Sequence, residues 1–148
     1  MTNGYQTVFN LNKLLQRDPT SLTVSDGFFN NGVLSISIAN NQKLKRIEIG
    51  NRCFGTVREF ELNGLSELES VVIGHESFRI NLFERNDGSY RIVNCPKLKS
   101  IEFFSRSCED YHSFELNNLL SLQSIDMGDY CFFLAPSFLL TGLIDGLV

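Results

Sequence analysis

The chain has 148 residues, of which 43% are hydrophobic and 20% charged, a balance typical of one globular domain with its own core. Its net charge of −4 argues against nucleic-acid binding, because that function requires a basic surface opposite the phosphates. Thirteen phenylalanines and no tryptophan predict a core built on Phe, Leu and Ile.

The first twenty residues predict a cap for the domain that follows. Residues 1–20 lack the basic and apolar regions of a secretory signal, so we expect no leader peptide. Residues 9–14 carry a degenerate copy of the motif described below, and we expect a short helix around Leu11 to Gln16. We therefore predict one domain over residues 1–148, with the cap at 1–20 and the repeats at 21–148.

From residue 21 onward the sequence repeats one unit, F-x-L-x-x-L followed by L-x-x-I-x-I-G and a Phe. The units open at Ile36, Phe60, Tyr90, Phe114 and Phe138, and their spacing is 24 residues except for 30 residues in the unit that Phe60 opens. Each unit contains two short segments in which apolar and polar residues alternate, the pattern of a strand with one buried face. A single unit buries too few side chains to offset the entropy of ordering it, so the units must stack. The sequence predicts a mainly β solenoid of about five 24-residue coils with one six-residue insertion.

Two positions of the unit predict the corners of the coil. The first comes two residues after F-x-L and holds residues that tolerate a left-handed backbone: Asn40, Gly64, Asn94, Asn118 and Gly142. The second holds Gly50, Gly74 and Gly128. Phe104 interrupts this second row, and we expect an irregular coil there.

The motif L-x-x-I-x-I-G-x-x-x-F followed by F-x-L-x-x-L resembles leucine-rich repeats, and most of all their BspA-type variety. The resemblance covers about residues 9–143. It implies a right-handed, gently curved superhelix that is used for protein binding or adhesion. Where ordinary leucine-rich repeats have a ladder of asparagines after the first strand, this chain has Arg52, Glu76, Arg106 and Tyr130.

The four cysteines do not follow a metal-binding pattern, since there is no C-x-x-C and no Cys–His pairing at zinc spacing. Cys53 and Cys131 occupy the same position of units three coils apart, too far for a disulfide at about 4.8 Å per coil. Cys95 stands where other units have a core leucine, and Cys108 lies one place after the Cys53 position. We expect four structural thiols, no metal and no cofactor, and reduced thiols favour a cytoplasmic location.

No constellation of residues points to an enzyme. His75 and His112 occupy different positions of their units, and neither accompanies a nucleophile motif, so we expect surface histidines. Ser70, Ser100 and Ser124 share one position, which predicts a polar ladder on a strand beside Arg46.

The outward-facing positions around the L-x-x-I-x-I strands predict a surface of mixed charge. They hold Lys45, Glu48, Glu69, Lys99, Glu102, Gln123 and Asp126. The signs alternate along and across this ladder, as cross-strand pairs prefer. Two interpretations stay open, a solvated face or a surface that binds a protein partner.

The six surplus residues lie within 79–92, where Asp87-Gly88 is a signal for a hairpin turn. Insertions project from one side of a solenoid, which makes Arg85, Asn86 and Asp87 candidate contacts for a partner. A loop insertion that is merely tolerated is the alternative.

The C-terminal unit reproduces the core pattern at Phe138, Leu140 and Leu143. We expect this end to be covered by the same end of a second molecule in a two-fold dimer, or by the tail itself. The apolar residues 131–148 are fewer than the ~20 of a membrane helix and include Pro136, so we expect no membrane span.

Taken together, these features predict a non-enzymatic protein-interaction module with a protein partner of unknown identity. A structural or adhesive piece of a larger surface protein is the alternative.

Overall fold

The computed structural model describes residues 13–28, 32, 34–79, 88–132 and 137–143. Residues 13–16 form one helical turn, within the short helix predicted around residues 11–16. Ten strands follow in the described ranges: β1 (Ser21–Val24), β2 (Ser35–Ile38), β3 (Arg46–Ile49), β4 (Glu59–Asn63), β5 (Ser70–Ile73), β6 (Ser89–Val93), β7 (Ser100–Phe103), β8 (Ser113–Leu119), β9 (Ser124–Met127) and β10 (Ser137–Leu143).

The odd-numbered strands form one parallel sheet, here called sheet A, and the even-numbered strands form a second, sheet B. Neighbouring strands of sheet B pair equivalent positions of successive units, so that Ile36 lies beside Phe60 and Phe114 lies beside Phe138. The chain thus winds as a β-solenoid of about four turns with a spacing of about 24 residues. The predicted mainly β solenoid and its repeat are confirmed.

The insertion leaves this register intact. Phe60 pairs with Tyr90 across 30 residues, and Tyr90 pairs in turn with Phe114 across 24. On either side of the insertion, the amide of Phe78 donates to Cys53 (2.8 Å) and the amide of Ser89 donates to Arg58 (2.7 Å). The surplus residues therefore fall between two points at which the coil is bonded to the preceding one.

The core lies between the two sheets, because alternation along each strand directs every second side chain inward. The inward positions of the central coils are fully buried: Ile47, Val71 and Ile101 in sheet A, and Leu62, Ile92 and Leu116 in sheet B. Eight rings pack with centroids 4.2 to 6.4 Å apart: Phe54, Phe60, Phe78, Tyr90, Phe103, Tyr111, Phe114 and Phe132. The predicted Phe-rich core is confirmed, with two tyrosines in it.

Glycine and asparagine mark the two corners for different physical reasons. At the corner after sheet B, Gly64, Asn94, Asn118 and Gly142 have positive φ as predicted, whereas Asn40 does not. At the other corner the row of glycines allows a close approach of coils, since a Cβ on Gly74 would lie 2.5 Å from the Gly50 carbonyl carbon.

The coil remains regular at Phe104, contrary to the irregularity expected there. Its amide donates to the carbonyl of Ile73 at 2.9 Å, in the same way as Gly74 donates to Ile49 at 2.8 Å. The Phe104 ring lies outside the core, 5.0 Å from the imidazole of His75.

A ladder of small hydrogen-bond donors occupies the corner after sheet A. Two left-handed residues flank each donor, and their φ angles are 50° to 63°: Arg52 and Phe54, Glu76 and Phe78, Arg106 and Cys108, Tyr130 and Phe132. Each donor bonds to a carbonyl of the preceding coil: Cys53 Sγ to Ser25 (3.1 Å), Ser77 Oγ to Gly50 (2.6 Å), Ser107 Oγ to Gly74 (2.6 Å) and Cys131 Sγ to Phe104 (3.1 Å). These bonds satisfy backbone carbonyls where the strands end.

Candidate binding surface

The outward face of sheet A carries the charged residues that the sequence singled out. Lys45, Glu69, Lys99 and Gln123 precede successive strands and form one exposed row, here called the outer row. Backbone hydrogen bonds fix their stacking. The backbone amide of Glu69 donates to the Lys45 carbonyl (2.8 Å), that of Lys99 to the Glu69 carbonyl (2.9 Å) and that of Gln123 to the Lys99 carbonyl (2.8 Å). The four residues are thus exposed and stacked from coil to coil.

A second row on the same face runs through the strands and is here called the strand row. It consists of Glu48, Val72, Glu102 and Asp126, which are Cα partners in register. The expected alternation of sign is wrong for this row, because Val72 interrupts it and Glu102 lies directly beside Asp126. Like charges in that position repel each other at a cost of about 0.2–1 kcal/mol.

A polar ladder stands beside the strand row, as predicted. Arg46 pairs with Ser70, Ser70 with Ser100, and Ser100 with Ser124. The Arg46 guanidinium lies 3.4 Å from Ser70 Oγ and 3.3 Å from the Glu48 carboxylate, so it neutralises one end of the strand row.

The charges of the outer row have no ion-pair partners among the residues that the structure describes. Within the described part of the chain, no opposite charge lies within 4.0 Å of Lys45, Glu69 or Lys99. By contrast Lys97 and Glu67, in the turns just before this row, pair at 2.9 Å. The hydrogen bond from Lys97 lowers the pKa of Glu67.

Sheet B shows the opposite arrangement, since its central charges neutralise one another. The Arg91 guanidinium bridges the carboxylates of Glu61 and Glu115, with Nε 2.6 Å from Glu115 Oε2. The hydrogen bond to Glu115 raises the pKa of Arg91 above its usual value. The two faces therefore differ in how much of their charge is available to a partner.

A groove of about 570 Å³ runs along the corner beside sheet A. It is lined by Asp26, Gly27, Asn51, Arg52, His75, Glu76, Ser105 and Arg106. Hydrogen bonds join the coils along its wall. The backbone amide of Asn51 donates to Asp26 Oδ1, and the backbone amide of His75 donates to Asn51 Oδ1, each at 2.8 Å.

The side chains along this groove pair with one another. Arg52 and Glu76 form an ion pair at 3.0 Å, and the Arg106 guanidinium lies 5.2 Å from the Tyr130 ring centroid. Sequence reasoning missed the groove, although the polar residues that follow the glycine row in each unit were its signal.

The insertion is described only at its two ends, and Arg85, Asn86 and Asp87 lie outside the described residues. At its first end, Arg79 lies 3.6 Å from a carboxylate oxygen of Glu76 and 3.1 Å from one of Glu109. Asp110 is 2% exposed, and its Oδ2 has no hydrogen-bond partner. Burial and the charge of Glu109 raise the pKa of Asp110, while Arg79 opposes that shift.

The cysteines are free thiols in the structure, and three of the four are buried. Burial raises the pKa of each, and that of Cys108 lies well above its usual value. A thiol that stays protonated at neutral pH is a poor nucleophile and a poor metal ligand. His75 and His112 are exposed, as predicted.

The described residues contain no group of three or more His, Cys, Asp or Glu side chains that could hold a metal ion. Nor does any helix in those ranges have the length and apolar character needed to cross a membrane. Neither known protein-family models, nor curated proteins, nor solved structures match this chain significantly. Its function is therefore inferred from the geometry and charge of its surfaces.

Proposed function

We propose that this chain is a non-enzymatic protein-interaction module that binds a protein partner on the outward face of sheet A. The observation that supports this is the outer row, where Lys45, Glu69 and Lys99 stand in line without ion-pair partners among the described residues. Complementary charges across an interface contribute mainly to specificity and to the association rate. A row of charges held in place by the backbone can supply both.

The strand row indicates what such a partner carries. Glu102 and Asp126 repel each other as direct neighbours, and a lysine or arginine of the partner would relieve that repulsion. Val72, half-buried between Glu48 and Glu102 in the same row, offers an apolar contact. The partner we expect thus has a basic group beside an apolar one.

We also assign the solenoid to the leucine-rich-repeat type, most like the BspA variety. This is supported by the burial of the apolar motif positions, for example Leu44, Ile47, Ile49 and Phe54 in one unit. The donor ladder of Cys and Ser then replaces the asparagine ladder in satisfying carbonyls at the corner. Protein binding and adhesion are the functions that this resemblance implies.

A charge-reversal experiment tests the proposed surface. The wild-type chain is cross-linked to its neighbours in the cells that produce it, and the captured protein is then purified for calorimetric titration. Glu69→Lys should weaken its binding at least tenfold, or about 1.4 kcal/mol. Rising salt should weaken the wild-type complex, since the contacts are between exposed charges.

Glu59→Lys is the matched control, because Glu59 is exposed, begins a strand of sheet B and undergoes the same change of charge. It should leave the affinity unchanged. Equal affinity of the wild type and Glu69→Lys, or loss of binding by Glu59→Lys, would refute the assignment to sheet A.

A further inference from the structure

The two ends of the solenoid differ in how well they cover the core. At the first strands, Leu22 and Ile36 are 4% and 7% exposed. At the last strands, two inward positions are open, with Met127 40% and Leu140 43% exposed. Leu116, which holds the position of Leu140 one coil earlier, is fully buried.

The covered end has a cap in the described structure. Leu15, in the helical turn of residues 13–16, packs against the core. The side-chain amide of Asn41 in the first full coil donates to the Leu15 carbonyl at 2.7 Å and anchors the turn. A coil from another copy of the chain cannot extend the sheets at this end without displacing that cap.

The open end has strand edges as well as apolar side chains. Strand β9 is the last in sheet A and pairs with β7, and strand β10 is the last in sheet B and pairs with β8. In the described part of the chain, their outer edges face no further strand. Edges of this kind are templates for pairing with another strand.

We propose that a second copy of the chain covers this end, with the two open ends face to face about a two-fold axis. Contact of the open end with the N-terminal end would continue the parallel sheets into a filament, but the cap occupies that position. Two-fold symmetry instead sets apolar residues against apolar residues, Leu140 and Met127 among them. It also makes strands from the two copies antiparallel, so that their free edges can form hydrogen bonds.

The size of the end sets the strength of this contact. Two sheets about 10 Å apart, with strands of up to seven residues at about 3.4 Å each, enclose a cross-section of roughly 240 Å². That is less than the ~800 Å² per partner of a standard interface, so we expect dissociation constants in the micromolar range. The interface leaves the outward face of sheet A open, so the dimer and the proposed partner binding can fail independently.

Sedimentation velocity of the full chain from about 1 to 200 μM tests the dimer. The mass should rise from that of the 16.8 kDa chain to twice that value as the concentration increases. Leu140→Lys should remain monomeric throughout, because a lysine ammonium would be buried against its own copy. Met127→Lys, at the end of the last strand of sheet A, should have the same effect and serves if Leu140→Lys does not fold.

Leu34→Lys is the matched control, an exposed leucine in the first coil that receives the same charge. It should dimerise like the wild type. Monomers of the wild type at 200 μM would overturn the proposal and indicate that the chain's own remaining residues cover the end. Species that grow beyond the dimer, or a monomeric Leu34→Lys, would also overturn it.

Discussion

Two buried tyrosines of the aromatic core differ in a way that a one-atom change can test. The rings of Tyr90 and Tyr111 are fully buried with centroids 6.2 Å apart. The Tyr111 hydroxyl donates to the Val57 carbonyl, 54 residues earlier and two coils away. The Tyr90 hydroxyl is buried and has no hydrogen-bond partner in the described part of the chain. Substitution by phenylalanine keeps each ring and removes the hydroxyl oxygen.

The two substitutions should change the free energy of unfolding in opposite directions. Tyr111→Phe removes a buried bond and leaves the Val57 carbonyl unsatisfied, which should cost about 1–3 kcal/mol. Tyr90→Phe removes a polar atom whose desolvation nothing offsets, and should stabilise the chain by about 1 kcal/mol. No cavity large enough to change the packing is created in either case.

Urea denaturation followed by circular dichroism measures both changes. With a slope of about 2 kcal/mol per molar urea, the midpoint of Tyr111→Phe should fall by about 0.5–1.5 M. That of Tyr90→Phe should rise. If Tyr90→Phe destabilises the chain as much as Tyr111→Phe, the Tyr90 hydroxyl has a partner such as an internal water, and the reasoning is refuted.

Two further predictions concern the register and one buried acid. Ile101→Ala should cost 2–5 kcal/mol and Lys99→Ala under about 0.5 kcal/mol; equal urea midpoints would contradict the register. Burial and Glu109 raise the pKa of Asp110 in the folded chain, so its contribution to stability is present below about pH 4 and lost as pH rises through the raised pKa. The Asp110→Asn chain should therefore have a higher urea midpoint than the wild type at pH 7, and this difference should shrink at pH 4. A difference that is as large at pH 4 as at pH 7 would contradict the prediction.

The sequence predicted the strands and their register because both follow from periodicity. Alternation with a period of two decides which face of a strand is buried, and a one-residue slip would expose the whole apolar set. The pairing of Phe60 with Tyr90 across the insertion follows from the same constraint. The register of the strand row could be predicted for this reason.

Side-chain contacts at the corners could not be predicted in this way. The repeat placed Cys53 and Ser77 at equivalent positions, but their bonds to the preceding coil depend on left-handed backbone at the flanking residues. Such φ angles at Phe54 and Phe78 are rare for bulky side chains, and no sequence pattern indicates them. Glycine at position 74 was expected to mark a corner, yet only the structure distinguishes a close approach from a positive φ.

The bond between Tyr111 and Val57 joins the two coils that lie on either side of the unit with the insertion. Val57 and Tyr111 occupy equivalent positions in their units, three residues after Phe54 and Cys108 respectively. The backbone amide of Val57 donates to the Phe54 carbonyl and that of Tyr111 donates to the Cys108 carbonyl, each at 3.1 Å. The equivalent position of the intervening unit falls among the residues that the structure does not describe. Tyr111, much larger than valine, spans that unit and bonds directly to the coil beyond it. The coils on both sides of that unit are thus joined through the core.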